Sequence, residues 1–147
     1  MKNLWKLYLL GILIFVSACS VEPVQIEYGK DACHFCKMNI VDKQHAAEYV
    51  TKKAKAYKFD AVECLLNELK TKNMDDIQLI LVNTYDKPGN FAIAEQSTYL
   101  ISENLPSPMG AFITAFENKE TAIAVQKEKE GNIYKWQALI STFYKNK

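Results

Sequence analysis

The chain of 147 residues contains no arginine, and only two histidines, four cysteines and four prolines. Without a guanidinium fork there is no dedicated clamp for phosphate or carboxylate, so anionic substrates are disfavoured. Lysine balances aspartate and glutamate to a formal charge of +1 at pH 7, which excludes the basic excess that nucleic-acid binding needs. The most apolar stretch, Leu7 to Val16, is too short to span a bilayer comfortably, which argues against a permanent membrane helix.

That stretch sits in "MKNLWKLYLLGILIFVSACS", with Lys2 and Lys6 as a basic start and small residues at the end. The layout is that of a secretory signal. Val16-Ser17-Ala18-Cys19 matches the bacterial lipobox, in which the cysteine thiol receives a diacylglycerol and becomes the mature N-terminus. Residues 1–18 are therefore expected to be a cleaved signal peptide, Cys19 a lipidation site, and 19–30 a tether containing Pro23 and Gly29. The expected location is extracytoplasmic, lipid-anchored to a bacterial membrane. Ser20 stands where an inner-membrane retention Asp would, and the choice between inner and outer membrane stays open. Removing Lys2 and Lys6 takes the formal charge to −1.

Residues 31–147 are long enough for one compact domain or two small packed halves, with approximate bounds 31–85 and 86–147. Apolar alternation predicts strands at 45–51 and 55–59 around a Lys-rich turn. Asp60 and Glu63 have capping-box spacing before "AVECLLNELKTK", whose stripe Val62, Leu65, Leu66, Leu69 predicts a helix. A strand at 76–83 and a turn at 86–90 follow. The second half repeats the order loosely: strands at 91–95, 98–102 and 111–116, a helix at 118–129 closed by Gly131, a strand at 132–136 and a terminal helix at 137–145. Short strands in hairpins mixed with helices predict an α+β fold of two ββαβ-like halves. Phe112, Phe116, Trp136, Phe143 and Tyr144 are expected in the core.

Setting Cys19 aside leaves Cys33, Cys36 and Cys64, an odd number that cannot form a complete disulfide framework. Cys33 and Cys36 are spaced C-x-x-C, within "CHFCKMNIVDKQH". That pair suits a metal, a redox dithiol or a structural disulfide. Cys36 and Met38 are two apart, and in an extended segment they would share a face. Met109 lies in "LPSPMGAF", where Pro106, Pro108 and Gly110 stiffen a loop and core packing is a poor explanation for a methionine. Cys64, near the apolar stripe, either packs as a small hydrophobe or supplies a third sulfur at a helix N-terminus. His45 is either surface or ligand, and His34 tunes the thiols, faces water or binds. Thiolate, thioether and imidazole together favour Cu(I) over hard cations, and the methionines favour it over zinc.

With these motifs the chain resembles the NosL family of bacterial lipoproteins. The resemblance rests on Cys19, "CHFCKMNIVD" at 33–42, "KFDAVECLL" at 58–66 and "SPMGAF" at 107–112, in that order. It implies a Cu(I)-binding accessory protein associated with assembly of the copper centres of nitrous oxide reductase. It also implies an α+β fold of two ββαβ-like halves, similar to part of organomercurial lyase. Cys36, Met38 and Met109 fall on the family's sulfur motif, and Cys33 on its frequent preceding cysteine. Many members carry glycine at the place of Lys37 and a histidine shortly after the C-x-M step, whereas His45 comes slightly later. The expectation is a membrane-anchored copper chaperone, not an enzyme, that passes Cu(I) to an apo-enzyme or its assembly partners. Its metal residues would be drawn from Cys33, Cys36, Met38, Met109, His45 and Cys64. The rivals are a thiol–disulfide oxidoreductase using Cys33 and Cys36, and a zinc-stabilised interaction domain using Cys33, Cys36, Cys64 and His45.

Overall fold

A computed structural model describes residues 20–145. The signal segment and the lipidation site Cys19 lie outside the described residues. The strands are β1 (Ala47–Thr51), β2 (Ala56–Phe59), β3 (Ile77–Asn83), β4 (Phe91–Ile93), β5 (Thr98–Ile101), β6 (Ile113–Phe116) and β7 (Asn132–Lys135). The helices are α1 (Val62–Leu69), between β2 and β3, α2 (Lys119–Lys129), between β6 and β7, and α3 (Trp136–Lys145) at the end. No described helix is long and apolar enough to cross a membrane.

The architecture is α+β, with two small antiparallel sheets ordered β2-β1-β3-β4 and β6-β5-β7. In each ββαβ run the first strand lies in the middle, flanked by the strands before and after the helix. β4 extends the first sheet at its open edge. The β1–β2 turn closes with the Thr51 carbonyl accepting from the Ala54 amide at 2.9 Å, and Ala54 takes a left-handed φ of 57°.

One apolar core joins the sheets: Tyr49 and Phe59 from the first, Tyr99 and Ile113 from the second, with Leu65 of α1 and Leu139 of α3. Phe116, Trp136 and Phe143 are buried as expected, while Phe112 and Tyr144 are half-buried. The segment between β3 and β4 is fastened too. Asp86 accepts from the backbone amides of Glu117 (3.0 Å) and Asn118 (2.8 Å), and the Tyr85 amide donates to the Ala115 carbonyl at 2.8 Å.

α1 buries Val62, Leu65, Leu66 and Leu69, the predicted stripe. The predicted capping box does not form: the N-cap position is Ala61, with no side-chain bond. Asp60 and Glu63 are instead buried, Asp60 accepting from the Val41 amide and Glu63 from Ser107 and Ala111. α2 is capped by Asn118, whose side chain accepts from the amides of Glu120 (2.8 Å) and Thr121 (3.1 Å). It ends at Glu130 and Gly131. Gly131 has φ +94°, and an added Cβ would lie 2.2 Å from the Ile101 carbonyl oxygen, so only glycine fits there.

Candidate metal centre

Residues 29–40 form a tight reversal. The Gly29 amide donates to the Ile40 carbonyl (2.8 Å), the Ile40 amide to Asp31 (2.9 Å) and the Cys33 amide to Met38 (2.8 Å). Residues 34–36 are a turn, and Lys37 returns its amide to the Cys33 carbonyl at 3.0 Å with φ 67°. The segment is thus not extended, and the shared-face argument for Cys36 and Met38 does not apply. Left-handed backbone costs little only for glycine, so Lys37 holds this step at a cost in strain. The His34 amide bonds the Lys58 carbonyl at 2.8 Å and pins the loop to β2. The His34 ring lies edge-on to Tyr57, 4.7 Å between centroids, and its Nε2 is 3.5 Å from a Glu68 oxygen.

This reversal meets the start of α1, and there the sulfurs converge. The Sγ atoms of Cys33, Cys36 and Cys64 all lie within 4.8 Å of one another, and all three thiols are free. Two sulfurs on one ion with metal–sulfur bonds of about 2.3 Å can stand at most about 4.6 Å apart. The cluster therefore needs only small side-chain rotations to hold a soft metal. Cys33 and Cys64 are fully buried, while Cys36 is half-buried.

The three thiols are electrically unequal. The Cys64 thiol donates to Cys33 and, with the backbone amides of Asp60 and Cys36, draws the Cys33 thiol down to about 5 against the burial that opposes it. Donating that bond pushes Cys64 up, and burial adds to the effect. At this helix start Cys64 is thus the proton holder of the metal-free cluster. Burial raises Cys36, as does the neighbouring Cys33. The metal-free cluster accordingly holds one thiolate at Cys33 cradled by donors. Asp60 lies beside it, buried with Oδ1 unpartnered, and its carboxyl is raised by burial and by the Cys33 charge.

Met38 and Met109 are exposed, at 59% and 40%. The Met109 loop is fastened to α1 by a residue that sequence reasoning misassigned. Glu63 Oε1 accepts from the Ser107 hydroxyl and from the Ala111 amide (3.2 Å), and Ser107 Oγ accepts from the Phe112 amide at 2.8 Å. The partners are 44 and 48 residues away, so no local pattern reveals them. A glutamate embedded among Val62, Cys64, Leu65 and Leu66 was the available hint.

His45 is buried in the turn before β1. Its Nδ1 lies 2.8 Å from Asp42 Oδ2, and its Nε2 lies 3.1 Å from Thr114 Oγ1. Both ring nitrogens are engaged, and the imidazole bridges the two halves. Thr114 is on β6, so this bridge was invisible in the sequence.

A family model described as NosL matches residues 23–143. No curated protein matches the chain. Among solved structures, the copper chaperone NosL from Shewanella denitrificans superposes with a TM-score of 0.68 at 20% identity, covering 80% of this chain and 95% of that one. At that identity the superposition speaks for the fold. Because the family model spans most of the sequence, including all three clustered thiols and Met109, the chain belongs to the NosL family.

Proposed function

We propose that this protein is an extracytoplasmic Cu(I) carrier, held to a membrane by lipid at Cys19. The observation that carries the proposal is the meeting of three free thiols, from two separate segments, within 4.8 Å of one another. Cys33 supplies a ready thiolate, Cys36 the accessible sulfur, and Cys64 a thiol that gives up its proton on binding. Met38 and Met109 offer exposed thioethers, which suit Cu(I) and permit ligand exchange with an acceptor. The solved relative's description as a copper chaperone supports the same reading. The acceptor proposed on family grounds is apo-nitrous oxide reductase or its assembly factors. The activity is carriage rather than catalysis.

Two features weigh against the rivals. A Cys3His zinc site needs His45, whose nitrogens are already bonded to Asp42 and Thr114. A redox dithiol usually sits at the N-terminus of a helix, whereas Cys33 and Cys36 bracket a turn with no helix behind it. The test is anaerobic titration with Cu(I) against a competing chelator. One equivalent should bind, with weakened affinity after Cys36→Ser, and X-ray absorption should find mainly sulfur neighbours. Failure to bind one equivalent, or unchanged affinity in the variant, would refute the proposal.

A further inference from the structure

We infer that Glu63 is a positioning residue, which fixes the Met109 loop to the helix turn carrying Cys64 and thereby makes copper affinity depend on Glu63 through Met109. The inference rests on the carrier reading above and deepens it.

The geometry is specific. Glu63 is 1% exposed, on a helix, next in sequence to Cys64. Its bonds reach Ser107 and Ala111, which bracket Met109 on both sides. Ser107 relays the tie inward: its hydroxyl oxygen accepts from Phe112 (2.8 Å) and its carbonyl from the Gly110 amide (3.1 Å). Gly110 and Phe112 both have left-handed φ, 73° and 59°, so the chain doubles back within the stretch that Glu63 grips. Pro106 and Pro108 remove further freedom. A loop this stiff moves as a unit, so the buried tie sets where the Met109 backbone stands and from where its thioether reaches.

Glu63 is also an expensive way to hold a loop. Its Oε2 is buried with no partner, a cost that needs a compensating role. An apolar side chain there would pack without that cost but would leave the Ser107 hydroxyl and the Ala111 amide unanchored. Groups that orient a metal's ligands without touching the metal typically contribute about 10–100-fold to affinity.

The experiment compares Glu63→Ala, Glu63→Gln, Met109→Leu and the Glu63→Ala/Met109→Leu double variant, with Ser107→Ala as a milder cut of the same tie. Chelator competition reads Cu(I) affinity. In the copper-free protein, methyl resonances of labelled methionine read the Met109 environment, with Met74 as internal control. Glu63→Ala is expected to weaken Cu(I) by about 10–100-fold and to shift or broaden the Met109 resonance while leaving Met74 in place. Glu63→Gln keeps an acceptor oxygen and should retain most of the affinity. Glu63→Ala should cost nothing further in the Met109→Leu background. Should Glu63→Ala fail to fold, Ser107→Ala carries the test with a smaller loss in the same direction. A Met109 resonance unmoved by either variant overturns the inference, as does an affinity loss that persists undiminished in the Met109→Leu background. Wild-type protein that binds no copper overturns the carrier reading instead, and the resonance then decides the tie alone.

Discussion

Glu48 stands on β1, an inner strand of the four-stranded sheet, and is fully buried. Its Oε1 accepts from the Val24 amide at 2.8 Å, which ties the N-terminal segment to the sheet, and its Oε2 has no partner. Lys58 faces it across the hairpin, but that ammonium bonds the Asp31 carboxylate and the Gln25 carbonyl, each at 2.7 Å. Burial therefore outweighs the Val24 amide and the Lys58 charge, and pushes the carboxyl from 4.5 up to about 7. The unfolded chain releases this proton near 4.5, whereas the folded protein keeps it to about 7. Between those values the folded state binds more protons, so the contribution is complete below 4.5 and is lost as pH rises through 7. A shift of that size is worth about 3 kcal/mol, and relaxation around the ionised carboxylate brings the measurable loss to about 2 kcal/mol.

Glu48→Gln mimics the protonated form and retains an acceptor for Val24. Urea unfolding of residues 20–147, followed from pH 4 to pH 8, is the assay. Other carboxyls contribute their own slopes, Asp60 and Glu63 in the same direction, and subtraction of the two curves isolates Glu48. The variant should match the wild type at the acidic end and exceed it by about 2 kcal/mol at pH 8. Parallel curves, or a variant less stable at pH 8, would refute the argument that Glu48 is ionised at a cost.

Lys37→Gly relieves left-handed strain of about 1–2 kcal/mol, opposed by about 0.5–1 kcal/mol of glycine entropy and by loss of the exposed bond from the Lys37 ammonium to the His34 carbonyl. A net gain of about 0.5 kcal/mol is expected as a higher urea midpoint, and a clear loss would show that the turn tolerates lysine without strain. Cys64→Ala removes the donor that does most to lower Cys33, so the Cys33 midpoint should climb from about 5 towards an ordinary thiol. In reduced, metal-free protein this appears as loss of ultraviolet thiolate absorbance at neutral pH, and an unchanged midpoint would mean that the backbone amides alone hold the charge.

The amino-acid sequence by itself determined the elements, because strand alternation, helical spacing and turn residues act over a few positions. β1 to β3, the stripe of α1 and the Gly131 stop of α2 fall within about two residues of expectation. It also supplied the sulfur motif, since C-x-x-C and the P-M-G loop are local chemistry. It did not determine where the polar side chains point. Asp60 and Glu63 have capping-box spacing, yet α1 begins uncapped and both carboxyls turn inward. His45 reads as surface or ligand, yet Thr114, 69 residues on, takes its second nitrogen. Cys64 reads as packing or as ligand until the reversal at 29–40 is docked against β2 and α1. A buried polar group accepts whichever partner the packed sheets bring within reach, and only tertiary structure decides that partner, because the cost of leaving the group unbonded is felt only once water is excluded.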